Sequence, residues 1–84
     1  MMDDIKQKVT LDRTATYQIK VPGHLDESWA GWGEGLTVTV EIDRDRLPVT
    51  TLTGSFDQAG LHGLLRRLYS LGLPLISVIC LEFK

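Results

Sequence analysis

One helical segment, residues 57–71, constrains the fold of this chain more than any other part of the sequence. Its leucines recur at the i, i+3, i+4, i+7 spacing of a single helical face: Leu61, Leu64, Leu65 and Leu68. A helix with one apolar face must bury that face against another element of structure. The pattern predicts that these leucines pack on a sheet and share its core with Tyr17, Ile19, Leu36, Val38 and Val40.

Both ends of this helix are also marked in the sequence. Asp57 is a favourable N-cap, and Phe56 before it suits a hydrophobic staple. Gly72 suits the left-handed position after the last turn, and Leu73 is spaced to complete a Schellman motif. Pro74 then prevents the helix from continuing.

Four segments have the alternation or the composition of strands. Residues 15–21 end a longer alternating stretch and carry apolar side chains at odd positions. Residues 36–42 alternate in the same way, residues 49–56 are rich in β-branched side chains, and residues 75–83 are apolar on both faces. The charged turn at residues 43–46 lacks a two-residue hairpin signature and predicts a loose loop.

A second, shorter helix is expected between the first two strands. Pro22 and Gly23 end the first strand, and Asp26 is placed to cap a helix that contains Trp29 and Trp32. Tryptophans at helical spacing belong to a core more often than to a stacking platform for nucleic-acid bases.

The predicted order is β-α-β-β-α-β, which gives a ferredoxin-like sandwich when its crossovers are right-handed. This α+β fold has a four-stranded antiparallel sheet in the order 4-1-3-2, with two helices on one face. We expect a single ferredoxin-like domain over residues 15–84. Residues 1–14 are expected to form an N-terminal extension that is partly flexible or lengthens the first strand.

Charge and composition argue against several classes of partner. The chain has 84 residues, a mass of 9.4 kDa, a formal net charge of −2 and a pI near 5.5, so it lacks the basic excess that nucleic acid attracts. A single cysteine cannot form an intramolecular disulfide and favours a reducing compartment, here the cytoplasm. Neither a signal peptide nor a membrane span is recognisable, so no membrane partner is expected. The two histidines and the cysteine lack zinc-ligand spacing, and we expect no metal or cofactor.

Two segments carry a family resemblance: GHLDESWAGW followed by GLTVT within residues 23–39, and TLTGSFDQAGLHGLLRRLYSLGLPLISV at residues 51–78. They resemble a group of short bacterial hypothetical proteins, with a likeness that covers roughly three-quarters of the chain. This resemblance implies a small stand-alone protein and assigns no site. More distantly, VPGHL at residues 21–25 is similar to the Pro-Gly turn of ACT regulatory domains.

Catalysis has little support in the sequence. Ser55, Asp57, His24 and His62 provide the residue types of a hydrolytic triad, but there is no Gly-x-Ser-x-Gly elbow. Cys80 lies among apolar residues of a strand, where cysteine behaves as a small inert hydrophobe. The sequence leaves enzymatic activity uncertain and favours its absence.

The two flanks of the main helix differ in character. His62, Arg66 and Tyr69 share one flank, where they suit either a solvated border or a site for an anion or carboxylate ligand. The other flank contains Gly60 and Gly63, each of which costs a helix about 1 kcal/mol relative to alanine. Close approach of another backbone would offset that cost.

The last strand favours self-association. Ile76, Val78 and Cys80 are predicted to interrupt the polar face of the sheet, and with Gly60 and Gly63 they form the expected dimer interface. The N-terminal segment folded over the same patch would instead leave a monomer; its apolar residues are Ile5, Val9 and Leu11.

The leading functional hypothesis is a non-enzymatic, homo-oligomeric interaction or regulatory module. Its protein or small-molecule partner is not identified by the sequence. The alternative is a small-molecule-binding protein or enzyme of the dimeric α/β-barrel type. That alternative predicts an enclosed cavity of roughly 300 Å³ or more between helices and sheet, with polar groups converging on it.

Overall fold

A computed structural model describes residues 11–25 and 36–83 of the chain. Within them the strands are β1 (Ala15–Pro22), β2 (Thr37–Ile42), β3 (Pro48–Phe56) and β4 (Ser77–Phe83), and the helix is α1 (Gln58–Ser70). The strands form one antiparallel sheet in the order β2-β3-β1-β4. Therefore β1 and β3 occupy the centre of the sheet, while β2 and β4 are its edges.

The expected two-helix ferredoxin-like arrangement is not matched by the described residues, whose order is β-β-β-α-β with one helix. Asp26, Trp29 and Trp32, the basis of the other predicted helix, lie outside the described residues. Taken from the β4 edge, the strand order is β4-β1-β3-β2, the order 4-1-3-2 expected by analogy. The part of the chain that is described is an α+β structure with a four-stranded antiparallel sheet.

One face of the sheet carries α1 and the core. Side chains of β1 alternate between buried and half-buried, as the sequence predicts. The members of the core are Ala15, Tyr17, Ile19, Val21, Leu36, Leu52, Phe56, Leu61, Leu64 and Leu68. Three predicted core residues are less buried than expected: Leu65 and Val38 are half-buried, and Val40 is exposed because β2 is an edge strand.

The predicted ends of the helix are confirmed. The Asp57 carboxylate accepts a hydrogen bond from the Gly60 N–H at 2.8 Å. At the other end Gly72 has φ +79°, its N–H donates to the Tyr69 carbonyl at 2.9 Å, and the Leu73 N–H donates to the Leu68 carbonyl at 3.0 Å. These two bonds form the Schellman motif.

Gly72 offers a direct test of backbone strain, because a Cβ built on it would meet no atom within 4 Å. We expect Gly72→Val to lower the free energy of unfolding by about 2 kcal/mol, since only the left-handed φ opposes the side chain. Gly63 also has open space around it but lies inside α1, so Gly63→Ala should stabilise the protein by about 1 kcal/mol. Urea denaturation of both variants measures the contrast, and two shifts of the same sign would contradict it.

The loop between β2 and β3 is more ordered than the predicted loose turn. The Asp43 carboxylate accepts hydrogen bonds from the N–H groups of Asp45 at 2.9 Å and Leu47 at 2.8 Å. The Leu47 carbonyl accepts from the Asp43 N–H at 2.9 Å, and Arg46 has φ 62°. Asp43 therefore organises the turn through its side chain, as aspartate commonly does.

A buried threonine anchors the chain where it leaves β1. The Thr50 hydroxyl donates to the Gly23 carbonyl at 2.6 Å and accepts from the Leu25 N–H at 3.0 Å. Thr50 is fully buried on β3, on the face that carries α1. These two hydrogen bonds hold the turn after Pro22, in which Gly23 has φ +96°.

Candidate functional site

The most unusual surface of the described chain is the outer edge of β4. We define the β4 edge as Ile76, Val78, Ile79, Cys80 and Leu81. Its four aliphatic side chains are each between 40% and 55% exposed, and the thiol of Cys80 is free and exposed. Large aliphatic side chains gathered along a strand whose outer edge is unpaired mark an interaction surface or a site of aggregation.

Val78 and Cys80 do not interrupt the polar face of the sheet, and that part of the prediction is wrong. In the register, Val78 lies opposite Ile19 and Cys80 lies opposite Tyr17, so both share the face that carries α1. Only Ile79, opposite Gln18, lies on the other face. The sequence could not decide this point, because a shift of one residue in pairing moves every side chain of a strand to the other face.

Cys80 is exposed, although the sequence places it among apolar residues of a strand. Cys80 shares a face with the core, but it lies on the last strand of the sheet. α1 packs against β3, which β1 separates from β4 in the sheet, and leaves the β4 edge uncovered. A position that faces the core side is therefore accessible to solvent.

A bulge limits the straight part of the edge. Cys80 pairs with Tyr17 and Glu82 pairs with Thr16, so Leu81 is an extra residue in β4. The straight segment is therefore Ser77 to Cys80. Bulges on edge strands twist the following residues away from flat pairing.

The apolar surface continues into the connection between α1 and β4. Leu71 and Leu75 are about half exposed there. An open cavity of about 350 Å³ is lined by Tyr69, Gly72, Leu73 and Pro74. In the alternative to self-association, the N-terminal segment covers the patch. Leu11 does not provide this cover, since it is 81% exposed, and Ile5 and Val9 lie outside the described residues.

The predicted ligand trio of α1 is exposed throughout. The His62 Nε2 hydrogen-bonds the Gln58 Oε1 at 3.2 Å, and the Arg66 carbonyl accepts from the Ser70 hydroxyl at 3.0 Å. Tyr69 is 82% exposed and lines the open cavity at the end of the helix. Anion binding by His62, Arg66 and Tyr69 stays a prediction.

A polar chain that the sequence did not reveal runs from α1 into the core. The Gln58 Nε2 donates to the Tyr17 hydroxyl at 2.7 Å, while the other end of the same amide bonds His62. Burial raises the pKa of Tyr17, as does the nearby Cys80 thiol, and the Gln58 hydrogen bond acts in the opposite direction. The phenol is therefore neutral at ordinary pH and serves as a satisfied structural group. The i, i+4 spacing of Gln58 and His62 was the available signal.

The residues of the hypothetical triad do not come together. Ser55 lies on the sheet face opposite α1, where its hydroxyl is 3.3 Å from the Thr16 hydroxyl. His62 lies on the helix, and the Asp57 carboxylate is engaged in capping. His24 follows the end of β1, whereas Ser55 pairs with Thr16 near its start. Since the sheet separates Ser55 from His62, these residues cannot act as one hydrolytic unit.

The two helix glycines have different surroundings. A Cβ on Gly60 would lie 3.3 Å from the Asp57 carboxylate and 3.5 Å from Phe56, so the helix cap of the same chain accounts for it. A Cβ on Gly63 would have no neighbouring atom within 4 Å. Contact of either glycine with a second chain stays a prediction.

Two further classes of site are absent from the described ranges 11–25 and 36–83. No group of three or more His, Cys, Asp or Glu residues is placed there to hold a metal ion. Among the same residues no helix is long and apolar enough to cross a membrane.

These observations define a small α+β domain, built on a four-stranded antiparallel sheet with one described helix. The chain belongs to a family described as a domain of unknown function, DUF8691, whose model matches residues 16–79. Neither a curated protein nor a solved structure matches the chain. The description of the family assigns no activity.

Proposed function

We propose that this protein is a non-enzymatic interaction module that forms a homodimer by antiparallel pairing of its β4 edge with that of a second copy. The observation that carries the proposal is an edge strand with exposed aliphatic side chains on both faces. An edge strand offers unpaired N–H and C=O groups, and added strands use them for main-chain hydrogen bonds.

The composition of β4 supports this mode of pairing. Natural edge strands are commonly protected by lysine, proline or inward-pointing charges. The sequence of β4, SVICLEF, has no lysine or proline, and its single charge, Glu82, follows the bulge. The segment from Ser77 to Cys80 therefore has no device that opposes pairing.

A second copy is the occupant that the strand itself suits. Antiparallel pairing of one strand with its own copy is related by a two-fold axis, so the same groups serve both partners. With the axis perpendicular to the sheet, the pair forms a continuous eight-stranded sheet with both α1 helices on one side. The antiparallel direction also places the two Glu82 carboxylates at opposite ends of the paired segment.

The other edge of the sheet is less suited to this role. The face of β2 that lies away from α1 carries Thr37, Thr39 and Glu41. These polar side chains are exposed and form the ordinary solvated side of an edge strand. On its other face β2 also exposes aliphatic side chains, Val40 and Ile42. β4 exposes such side chains on both faces, and this contrast directs the proposal to β4.

The ferredoxin-like topology is part of the proposal. A helix between β1 and β2 would complete the β-α-β-β-α-β order, and the antiparallel pairing of all neighbouring strands supports it. A single exposed cysteine fits a reducing compartment such as the cytoplasm, which we include.

The interior of the described domain favours a module over the barrel-type enzyme. That alternative requires an enclosed cavity between helix and sheet. The space between α1 and the central strands is instead filled by fully buried side chains: Ile19, Leu52, Leu64 and Leu68.

The deciding experiment compares two valine-to-lysine variants. Val78 on β4 is 40% exposed and Val40 on β2 is 37% exposed, and both share the sheet face that carries α1. Sedimentation equilibrium at micromolar concentration, with reductant to keep Cys80 reduced, should show a species of twice 9.4 kDa for the parent. Val78→Lys should raise the dimer dissociation constant by more than about tenfold, because a buried unpaired ammonium opposes pairing.

Val40→Lys is the matched control and should leave the dimer intact. Thermal unfolding of both variants verifies that each remains folded. A parent protein that sediments at 9.4 kDa would refute the proposal, as would equal weakening of the dimer by both substitutions.

A further inference from the structure

A second feature lies on the sheet face opposite α1, at the end where β1 and β2 finish and β3 begins. A cavity of about 280 Å³ there is lined by Lys20, Glu41, Ile42, Asp43, Val49 and Ile76. Lys20 pairs with Thr51 and Glu41 pairs with Val49, so Lys20, Glu41 and Val49 project from this same face. We call this cavity the open-face cavity.

Opposite charges occupy opposite walls of the open-face cavity. Lys20 comes from β1, while Glu41 and Asp43 come from β2 and its following turn, with β3 between the two walls. From strand spacing and register, the Lys20 and Glu41 Cα atoms are roughly 12 Å apart. Among the described residues, no ion pair joins Lys20 to Glu41 or Asp43.

The centre of the cavity is aliphatic and its negative wall is fixed. Val49 on β3 is half-buried between the walls, and Ile42 and Ile76 border them. The Asp43 carboxylate is held by the Asp45 and Leu47 N–H groups, so its position is set before any ligand arrives. The walls and the centre together match a molecule with charged ends and an aliphatic middle.

A hydroxyl next to Lys20 is short of a partner. Thr51 is 5% exposed, and its Oγ1 is buried without a hydrogen bond within the described part of the chain. A buried hydroxyl that lacks a partner costs free energy. A carboxylate held at Lys20 would give this hydroxyl the acceptor that it lacks, after a rotation about the threonine χ1 bond.

We propose that the open-face cavity binds a small aliphatic zwitterion, an ω-amino carboxylate. Its carboxylate lies at Lys20 and Thr51, its ammonium group lies between Glu41 and Asp43, and its methylene chain lies over Val49. The two carboxylates favour a cation at one end, and the lysine favours an anion at the other. The cavity shares only Ile76 with the β4 edge, and its charged side chains come from β1, β2 and the turn after β2. Its ligand contacts therefore do not require dimer formation.

The test uses ε-aminocaproate as the zwitterionic probe, with caproate and hexylamine as probes that carry one charge each. Heteronuclear NMR of the full chain should show saturable shifts of the Lys20, Glu41 and Val49 amides with the zwitterion. Each singly charged probe should bind at least about fivefold more weakly, since it leaves one wall without a partner. The monomeric Val78→Lys variant should bind ε-aminocaproate as the parent does, which separates this test from that of the dimer.

Variants assign the roles of the two walls. Lys20→Met and Glu41→Gln should each weaken ε-aminocaproate binding by about tenfold. Glu82→Gln is the matched control, because Glu82 pairs with Thr16 on the same sheet face but lies at the far end of the sheet. Absence of saturable shifts up to about 10 mM probe would overturn the proposal. So would equal affinity for caproate, or equal loss of binding in Glu82→Gln.

Discussion

Leu64→Ala is expected to remove about 2–5 kcal/mol from the free energy of unfolding. Leu64 is fully buried on α1, where it meets the central strands of the sheet. The cost combines the lost transfer free energy of the side chain with that of the cavity it leaves. A domain of this size has a total stability of similar magnitude, so the variant should be largely unfolded at physiological temperature.

Urea denaturation followed by circular dichroism measures this effect at fixed protein concentration. Leu65→Ala should cost less, because Leu65 is half-buried at the edge of the leucine stripe. Leu71→Ala is the control, since Leu71 is 54% exposed after the last turn of α1. If Leu64→Ala and Leu71→Ala unfolded at the same urea concentration, the packing of α1 on the sheet would be wrong.

Thr50→Val is expected to cost about 1–3 kcal/mol although the two side chains have nearly the same shape. The substitution removes one hydrogen bond to the Gly23 carbonyl and one from the Leu25 N–H. Both main-chain groups are then left without their side-chain partner in a partly buried site. The protein therefore loses stability because polar groups lack hydrogen-bond partners, and not because side chains pack less well.

Thr39→Val provides the comparison, because Thr39 is exposed on β2 and its substitution should change stability by less than about 0.5 kcal/mol. Hydrogen exchange gives a second measurement, in which the Leu25 amide should exchange faster in Thr50→Val. Equal stability of the two variants, with unchanged exchange at Leu25, would show that the Thr50 hydrogen bonds do not hold the turn.

Features that depend on neighbours within a few residues were predictable from the sequence. The Asp57 cap, the left-handed Gly72 and the Leu73 N–H bond all join groups within one or two helical turns. The alternation of β1 was equally local, since the side-chain period of a strand is two. The Asp43 turn also has a local signal, an aspartate at the first position of a turn, although the sequence predicted only a loose loop there.

The candidate sites depended on contacts between distant parts of the chain. Thr50 meets Gly23, and Gln58 meets Tyr17, across separations of 27 and 41 residues. Lys20, Glu41 and Val49 meet only because β1, β3 and β2 lie side by side. No pattern in the sequence marked these residues, because polar side chains on strands normally face solvent.

The amino-acid sequence alone was enough to establish the helix, its ends and the four strands, because hydrophobic periodicity and capping act over short distances. Only the tertiary arrangement decided which side chains of β4 share the sheet face with α1. It also decided that Cys80 is exposed. One shift in strand register would exchange the faces of Val78 and Ile79 without changing any local preference, and the pairing with β1 fixes that register. Burial depended in the same way on sheet order, which places β1 and β3 under α1 and leaves β4 and β2 as edges.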